Sequence, residues 1–386
     1  VGPIGPIGGG GGRWNRQRDM SELLYRIAFS QVKGMHPKVA EQMLERVGTE
    51  EEFFRLPAQS LHRLTGNAHR VLDDDYRAAV LEGARREEEF CLANDVRCLY
   101  YTDVGYPQRL LQCDDAPSML FTLGRVNLNA RHVVSIVGTR NATNYGVAFI
   151  NRLVEDLAAK LDDLLVVSGL AMGCDITAHR KAMDTGVPTV AVVAHGLDTL
   201  YPSEHRRYAA RMVRDGGGIV TDYVHGTSPH RGNFLARNRI VAGLSDAIVV
   251  AESGAPRGGA LHTARLGQMY NRDVFALPGR TADVYSAGCN LLIKTNVAHL
   301  IETADDLIAT MRWTPRPAIG EQQELFPQLS AEQQTILDYL RRNGEGQINS
   351  LTATLGIPVG QLMALLTEME FNGLVMALPG ARYRPA

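Results

Sequence analysis

The sequence has little cysteine and no long apolar run. Its five cysteines are scattered and never spaced as CxxC, which argues against a disulfide framework or a structural zinc site and predicts buried thiols. No stretch of about 18 uncharged apolar residues occurs. The N-terminus also lacks the basic start and apolar middle of a signal peptide. We therefore expect a cytoplasmic protein.

An excess of charge of one sign is also lacking. The 40 lysines and arginines nearly balance the 42 aspartates and glutamates, so the formal net charge is -2. Any affinity for nucleic acid must therefore come from a local basic patch. The 386 residues, 45% of them hydrophobic, can bury a large core and predict two or three domains.

The N-terminal part of the chain predicts a small helical module. Residues 1–19 begin with VGPIGPIGGGGG and are expected to form a disordered arm. Residues 20–85 have apolar side chains at helical spacing. Within them, QVKGMHPKVAEQMLERVG resembles a sterile-alpha-motif or helix-hairpin-helix (SAM/HhH-like) segment. Packing or protein contact is favoured for this segment, and DNA binding stays open.

The C-terminal part predicts a second module. After a Pro-rich linker over residues 311–328, residues 329–386 have the order of a winged helix, with three helices and then two short strands. The third helix, residues 358–371, contains no lysine or arginine and carries Glu368 and Glu370. A helix that enters a DNA groove normally carries cations. We therefore expect this helix to pack or to bind a partner.

The central residues 86–310 alternate short β-branched runs with helix-like segments. The runs are HVVSIVG, LLVVSG, PTVAVVAHG, GGIVTDY, DAIVVAE and DVFALPG. This alternation predicts an α/β fold with a doubly wound parallel sheet of the extended Rossmann-like type. Ligands bind at the carboxyl ends of the strands in such a sheet.

Glycine-rich loops follow three of these runs. Such loops expose amide N–H groups that can hold an anion, and the dipole of a following helix adds to the attraction. The residues concerned are Gly138, Thr139, Ser168, Gly169, Gly173, Ser253, Gly254, Gly258 and Gly259. None of the loops has a Walker or GxGxxG pattern, so an ATPase is not expected. A purely steric role of the glycines stays open.

Asp175 and His179 allow two interpretations. Four residues apart on one helix, they could form an acid/base pair or bind a metal. Alternatively, Asp175 accepts hydrogen bonds from amides at the helix start and His179 packs behind it. The second interpretation is favoured, because no third ligand or nucleophile is evident nearby. We therefore expect no catalytic residue, metal or cofactor.

Cations recur where the runs end, which predicts a positive rim along one edge of the sheet. They are Arg140, Arg231, Arg237, Arg239, Arg257, Arg280 and Lys294. Phe234 and Asn238 lie among them. A cationic groove beside an aromatic platform suits single-stranded nucleic acid, whose phosphates and base faces are both exposed. The alternatives are that Phe234 belongs to the core and that one arginine pairs with Asp222 or Glu252.

Six ordered motifs resemble the DNA-processing protein A family (DprA, also called Smf). They are SIVGTRNATNYG, VVSGLAMGCDITAHRKAM, TVAVVAHGLDTLYPSEH, NFLARNRIVAGLSDAIVVAE, GGALHTARLG and VFALPGR. The resemblance implies a homodimer that binds and protects single-stranded DNA in natural transformation and helps to load the recombinase RecA, without known catalysis. The family's DNA contacts then fall on Arg140, Arg231, Phe234, Arg237, Asn238 and Arg239, and the rim adds Lys294.

Two positions depart from the family pattern, and one rival family remains. Ala260 stands where a serine is usual, and His205 replaces an asparagine. The sheet also resembles that of phosphoribohydrolases, which act on nucleoside monophosphates through a glutamate that GGALHTARLG lacks. A nucleotide-binding enzyme that uses Glu252 or Asp175 is therefore the alternative function. A transcription factor is disfavoured by the acidic third helix.

Overall fold

The computed structural model describes residues 16–66, 68–316 and 329–385. The chain divides into two compact units between Arg316 and Pro317. Residues 1–15 of the predicted arm and residues 317–328 of the predicted linker lie outside the described residues. The first residues of that linker belong to the first unit, because the Arg316 N–H donates to the Lys160 carbonyl at 2.6 Å.

Five helices open the first unit. They are α1 (Arg16–Gln31), α2 (Pro37–Val47), α3 (Glu50–Arg55), α4 (Ala58–Thr65) and α5 (Asp74–Ala93). Thr49 and Glu52 form a capping box that fixes the start of α3. Helix α1 begins at Arg16, inside the range predicted for the arm, and α5 runs through the predicted domain limit between residues 85 and 86.

A nine-stranded sheet follows. Its strands are β1 (Arg97–Tyr100), β2 (Met119–Leu123), β3 (His132–Val137), β4 (Leu164–Ser168), β5 (Thr189–Val192), β6 (Gly218–Thr221), β7 (Ala247–Val250), β8 (Asp273–Ala276) and β9 (His299–Leu300). The spatial order is β1-β2-β6-β5-β4-β3-β7-β8-β9. The six predicted runs are confirmed as the parallel strands β3 to β8, with Ser135 in register with Val167 on one side and Ile248 on the other.

The sheet is not parallel throughout. Strands β1 and β2 pair antiparallel with each other, and β2 pairs antiparallel with β6. The chain between β1 and β2 contains only one short helix, α6 (Gln108–Leu111), and makes no crossover over a face of the sheet. Neighbouring strands joined in this way run antiparallel.

Helices cover both faces of the parallel strands. They are α7 (Asn144–Lys160), α8 (Cys174–Asp184), α9 (Arg206–Arg214), α10 (Arg231–Gly243), α11 (Gly259–Met269), α12 (Ala287–Lys294) and α13 (Ala304–Met311). Val134 packs into the core beneath α7, whereas its neighbour Val133 packs into the core on the opposite face. That second core also contains Phe29 of α1, so the N-terminal helices and the sheet share one hydrophobic interior.

The second unit has the winged-helix order predicted from the sequence. Its elements are α14 (Ala331–Asn343), β10 (Gly346–Gln347), α15 (Ile348–Leu355), α16 (Val359–Phe371), β11 (Val375–Leu378) and β12 (Arg382–Pro385). Leu340, Leu351 and Leu366 meet in its core. Among the described residues, no single helix is long and apolar enough to cross a membrane, and α15 and α16 pass that test only as a pair bent by 114°.

Arg77 ties the N-terminal helices together. Its side chain is 2% exposed and donates to the carbonyl oxygens of Phe53, Leu56 and Leu72, and it pairs with Asp74. We expect Arg77→Ala to lower the free energy of unfolding by about 3–5 kcal/mol, because it leaves buried carbonyl groups without a donor. Urea unfolding followed by circular dichroism measures this loss.

Arg85→Ala is the matched control on the same helix. Arg85 is exposed and its guanidinium lies 3.8 Å from the Glu82 carboxylate. Removing such a surface pair changes stability by about 0.5 kcal/mol or less. Equal unfolding midpoints for the two variants would contradict the role given to Arg77.

Candidate nucleic-acid interface

A cavity of about 930 Å³ opens at the carboxyl edge of the parallel strands. Its walls are the loops after β3, β4 and β7, one side of α10, the first turns of α11, and Tyr285. The cavity lies where β3 and β7 are neighbours and the chain leaves them in opposite directions along the sheet. Open α/β sheets bind ligands at this topological switch point.

The floor of the cavity holds a buried guanidinium. Arg237 is 5% exposed and donates to the Val192 carbonyl at the end of β5. A Cβ atom on Gly169 would lie 2.3 Å from the Arg237 guanidinium, so the arginine packs directly on the glycine backbone. Burial lowers the pKa of Arg237, and the neighbouring Asp175 carboxylate opposes that shift. Arg237 therefore supplies a fixed positive charge beneath the cavity.

Asp175 and His179 have the structural roles that the sequence favoured. The Asp175 carboxylate accepts hydrogen bonds from the Gly169 N–H at 3.1 Å and the Ala171 N–H at 3.3 Å. His179 is fully buried, and its Nδ1 lies 2.7 Å from Thr189 Oγ1. The Thr189 hydroxyl donates to the Val166 carbonyl, so His179 Nδ1 carries the proton and donates to Thr189.

Glu252 has a structural role as well, and the described residues offer no metal site. The buried Glu252 carboxylate accepts from the Thr143 N–H at 2.8 Å and from the Thr143 hydroxyl at 2.5 Å, which fixes the start of α7. A Cβ atom on Gly146 would collide with Glu252, at 2.4 Å from its Oε2. Within the described ranges, no group of three or more His, Cys, Asp or Glu residues could hold a metal ion.

The rim of the cavity carries exposed cations beside aromatic rings. Arg140, Arg231, Arg257 and Arg265 are exposed and form no ion pair within the described part of the chain. The Arg140 guanidinium lies 5.6 Å from the centre of the Phe234 ring. The Phe234 and Tyr201 rings are 5.6 Å apart, and Tyr201 is 46% exposed. Cations and two rings therefore lie together at the mouth.

Besides Arg140 and Phe234, ten of the predicted site residues border the cavity or its floor. They are Gly138, Thr139, Gly169, Ser253, Gly254, Gly258, Gly259, Arg231, Arg237 and Asn238. The Asn238 side-chain N–H₂ donates to the Gly259 carbonyl at 3.4 Å and links α10 to α11. Five arginines and one carboxylate, Asp175, line the whole cavity. Its potential is therefore positive although the chain as a whole is slightly acidic.

Four predicted residues do not line the cavity. Arg239 turns to the other side of α10, where it pairs with Asp222 and donates to the Asp115 carbonyl. This is the pairing that the sequence left open for one arginine. Ser168 is buried and donates to the Ile136 carbonyl at 2.6 Å. Lys294 is exposed at the end of α12, away from the lining.

Gly173, the fourth of these residues, has a steric role. Its φ is +76°, and a Cβ atom there would lie 2.4 Å from the Thr139 carbonyl oxygen. Both conditions require glycine. Gly173 thereby lets the β4–α8 loop pack against the β3–α7 loop, where Arg140 lies.

Among the residues that sequence reasoning missed are two tyrosines and one arginine of the lining or rim. Tyr201 and Tyr285 lie in loops without a charge pattern, and Arg265 lies in the middle of α11. Of these three, only Arg265 had a usable signal, because it lies about 1.7 turns beyond the glycine turn that was predicted to hold an anion. The two departures noted above are buried, Ala260 in the cavity wall and His205 against the Leu170 carbonyl at 2.8 Å.

Family models match most of the chain. The model of DNA recombination-mediator protein A matches residues 97–312, and that of the DprA winged helix domain matches residues 321–381. The protein Smf of Synechocystis sp. is 30% identical, over 94% of this chain and 99% of its own length.

Two solved structures of DNA processing protein A are similar in fold to this chain. DNA processing protein A from Streptococcus pneumoniae is 29% identical with a TM-score of 0.60, over 74% of this chain and 96% of that one. The corresponding protein from Helicobacter pylori, solved for its single-stranded DNA binding mode, is 29% identical with a TM-score of 0.50. That match covers 56% of this chain and 95% of the other.

The buried His179 makes stability depend on pH. Burial lowers its pKa from 6.5 to about 3. Between these values the unfolded chain binds a proton at His179 and the folded chain does not, so stability falls as the pH falls. Between neutral pH and about pH 5, the wild type should lose roughly 2 kcal/mol of unfolding free energy through His179. We expect His179→Gln not to show this loss.

Urea unfolding of both proteins at neutral pH and at about pH 5 measures this difference. Glutamine can still donate to Thr189 but does not titrate, so the comparison isolates the imidazole. A difference in unfolding free energy that does not change with pH would show that His179 protonates equally in both states.

Proposed function

This chain belongs to the DNA recombination-mediator protein A (DprA/Smf) family, and from that premise we propose that it binds single-stranded DNA in the cavity at the carboxyl edge of its sheet. Its role lies in DNA processing during recombination. The observation that carries the binding proposal is the joint position of unpaired arginines and two neighbouring rings at the mouth of the cavity.

The two kinds of group act on different parts of the strand. Arg140, Arg231, Arg257 and Arg265 offer forked donors to phosphates. Phe234 and Tyr201 offer ring faces to bases, and each stacked base contributes about 1–3 kcal/mol. Duplex DNA hides its base faces inside the helix, so the rings favour a single strand. Base stacking and phosphate pairing do not depend on which base is present, so we expect little sequence preference.

Arg237 acts beneath this surface. It is buried and bonded to the Val192 carbonyl, so it contributes a fixed charge and holds α10 in place. Arg239 also helps to hold α10 in place, through its ion pair with Asp222. The direct contacts with the strand then fall to Arg140, Arg231 and Phe234.

Family membership supports finer proposals. We propose that the protein acts in the cytoplasm as a homodimer, protects the strand that enters during natural transformation and helps to load RecA onto it. We propose no catalytic step. The phosphoribohydrolase alternative is not favoured, because Glu252 and Asp175 are both occupied by backbone amides.

The proposed binding is tested by fluorescence anisotropy with labelled oligo-dT and a matched duplex over a salt series. We expect the wild type to prefer the single strand. Arg231→Ala should reduce the slope of log affinity against log salt by about 0.7, because one phosphate contact is lost. Phe234→Ala should weaken binding by about 1–3 kcal/mol, about 5- to 150-fold, with little change in slope.

Arg131→Ala is the matched control. Arg131 is exposed and lies just before β3, at the opposite edge of the sheet from the cavity. Its removal changes the net charge by the same amount and should leave binding almost unchanged. Equal affinity for duplex and single strand, or equal effects of Arg131→Ala and Arg231→Ala, would refute the proposed groove.

A further inference from the structure

A second group of arginines surrounds one tyrosine outside the cavity. The Arg207 guanidinium lies 4.7 Å from the centre of the Tyr208 ring in α9, and that of Arg180 in α8 lies 5.6 Å from it. Arg207 also donates to the Tyr208 hydroxyl at 2.7 Å. Both arginines are exposed, and neither forms an ion pair among the residues described. Two guanidinium groups that have no carboxylate partner among the described residues therefore lie close together at this ring.

This group adjoins the cavity through His205. The His205 ring is 6.1 Å from the Tyr208 ring, and its Nδ1 lies 2.8 Å from the Leu170 carbonyl. Leu170 stands between Gly169 and Ala171, which line the cavity. Tyr201, at the cavity mouth, begins the same short segment that leads to His205. His205 and Leu170 are buried and make this link from beneath. The exposed residues of the same segment, Tyr201, Ser203, Glu204 and Arg207, form the surface that leads from Phe234 to Tyr208.

The charges that face this surface leave it positive. Glu204 is an exposed carboxylate beside it, and the Ser203 hydroxyl lies 3.3 Å from that carboxylate. Asp184 is also near, but it pairs with Arg211 at 2.7 Å. The pKa of Tyr208 is lowered, mainly by the hydrogen bond from Arg207 and also by the charge of Arg180, which agrees with a positive local potential.

We infer that Arg180 and Arg207, held by Tyr208, form a clamp for the phosphates of a strand that leaves the cavity past Tyr201. Because both arginines lie over the ring, Tyr208 positions the guanidinium groups and does not stack a base. An ordered pair of guanidinium groups loses less side-chain entropy on binding phosphate than two free arginines do. This inference rests on the proposed binding of single-stranded DNA. It lengthens the part of the strand that contacts the protein.

The test compares oligo-dT of increasing length, from about 4 to about 20 nucleotides, by fluorescence anisotropy. The shortest oligonucleotides fill the cavity alone, and longer ones reach Tyr208. We expect the double variant Arg180→Ala/Arg207→Ala to bind short oligonucleotides as the wild type does. With long ones it should bind about five- to tenfold more weakly, with a salt slope smaller by roughly 1.4.

Three further variants make the result specific. Arg125→Ala/Arg131→Ala removes two exposed arginines, one just after β2 and one just before β3, at the opposite edge of the sheet, and should match the wild type at every length. Tyr208→Ala should gain less affinity than the wild type as the oligonucleotide becomes longer. Tyr208→Phe retains the ring, so its gain in affinity with length should be closer to that of the wild type.

The outcomes separate this inference from the proposed function. If the wild type gains affinity with length and Arg180→Ala/Arg207→Ala gains equally, the clamp does not exist, although the cavity still binds DNA. If the wild type binds no single strand of any length, the proposed function fails and the clamp fails with it. Circular dichroism of each variant verifies that the fold is retained.

Discussion

The buried guanidinium of Arg237 is the constraint on which the candidate site depends. A charge in the protein interior is costly, and a hydrogen bond to it and a nearby counter-charge offset part of that cost. Val192 at the end of β5 supplies a carbonyl, and Asp175 at the start of α8 supplies the counter-charge. Gly169 supplies the space. Helix α10 is thereby fixed to two strand ends, and Phe234, three residues earlier, is directed to the cavity mouth.

The site consequently has two layers of arginine with different physical roles. Arg237 and Arg239 are engaged by protein groups, so they are rigid and define where α10 lies. Arg140 and Arg231 are exposed and have no acidic partner among the described residues, so they are free to meet phosphate. The arginines of this helix thus divide by helix face, since positions 237 and 239 cannot point the same way.

The sequence predicted those features that depend on local pattern. β-branched runs such as that of β3 identified six of the seven parallel strands, because strands buried on both faces are apolar throughout. The seventh, β9, has only two residues, both exposed, and pairs parallel with β8. Glycine turns located the cavity wall. The partner of Arg239 could not be predicted with certainty, because Asp222 lies 17 residues away and meets it only after the sheet forms. Tyr201 was missed for a similar reason, because only tertiary packing brings it to Phe234.

A protein of net charge -2 can still attract a polyanion if its free cations are concentrated on one edge. Many arginines elsewhere are already paired with acids, for example Arg211 with Asp184 and Arg109 with Asp246. At physiological salt the Debye length is about 8 Å, so acidic groups farther away are screened at the cavity. The unpaired arginines of the rim then determine the local potential, and the rings beside them add the selectivity for exposed bases.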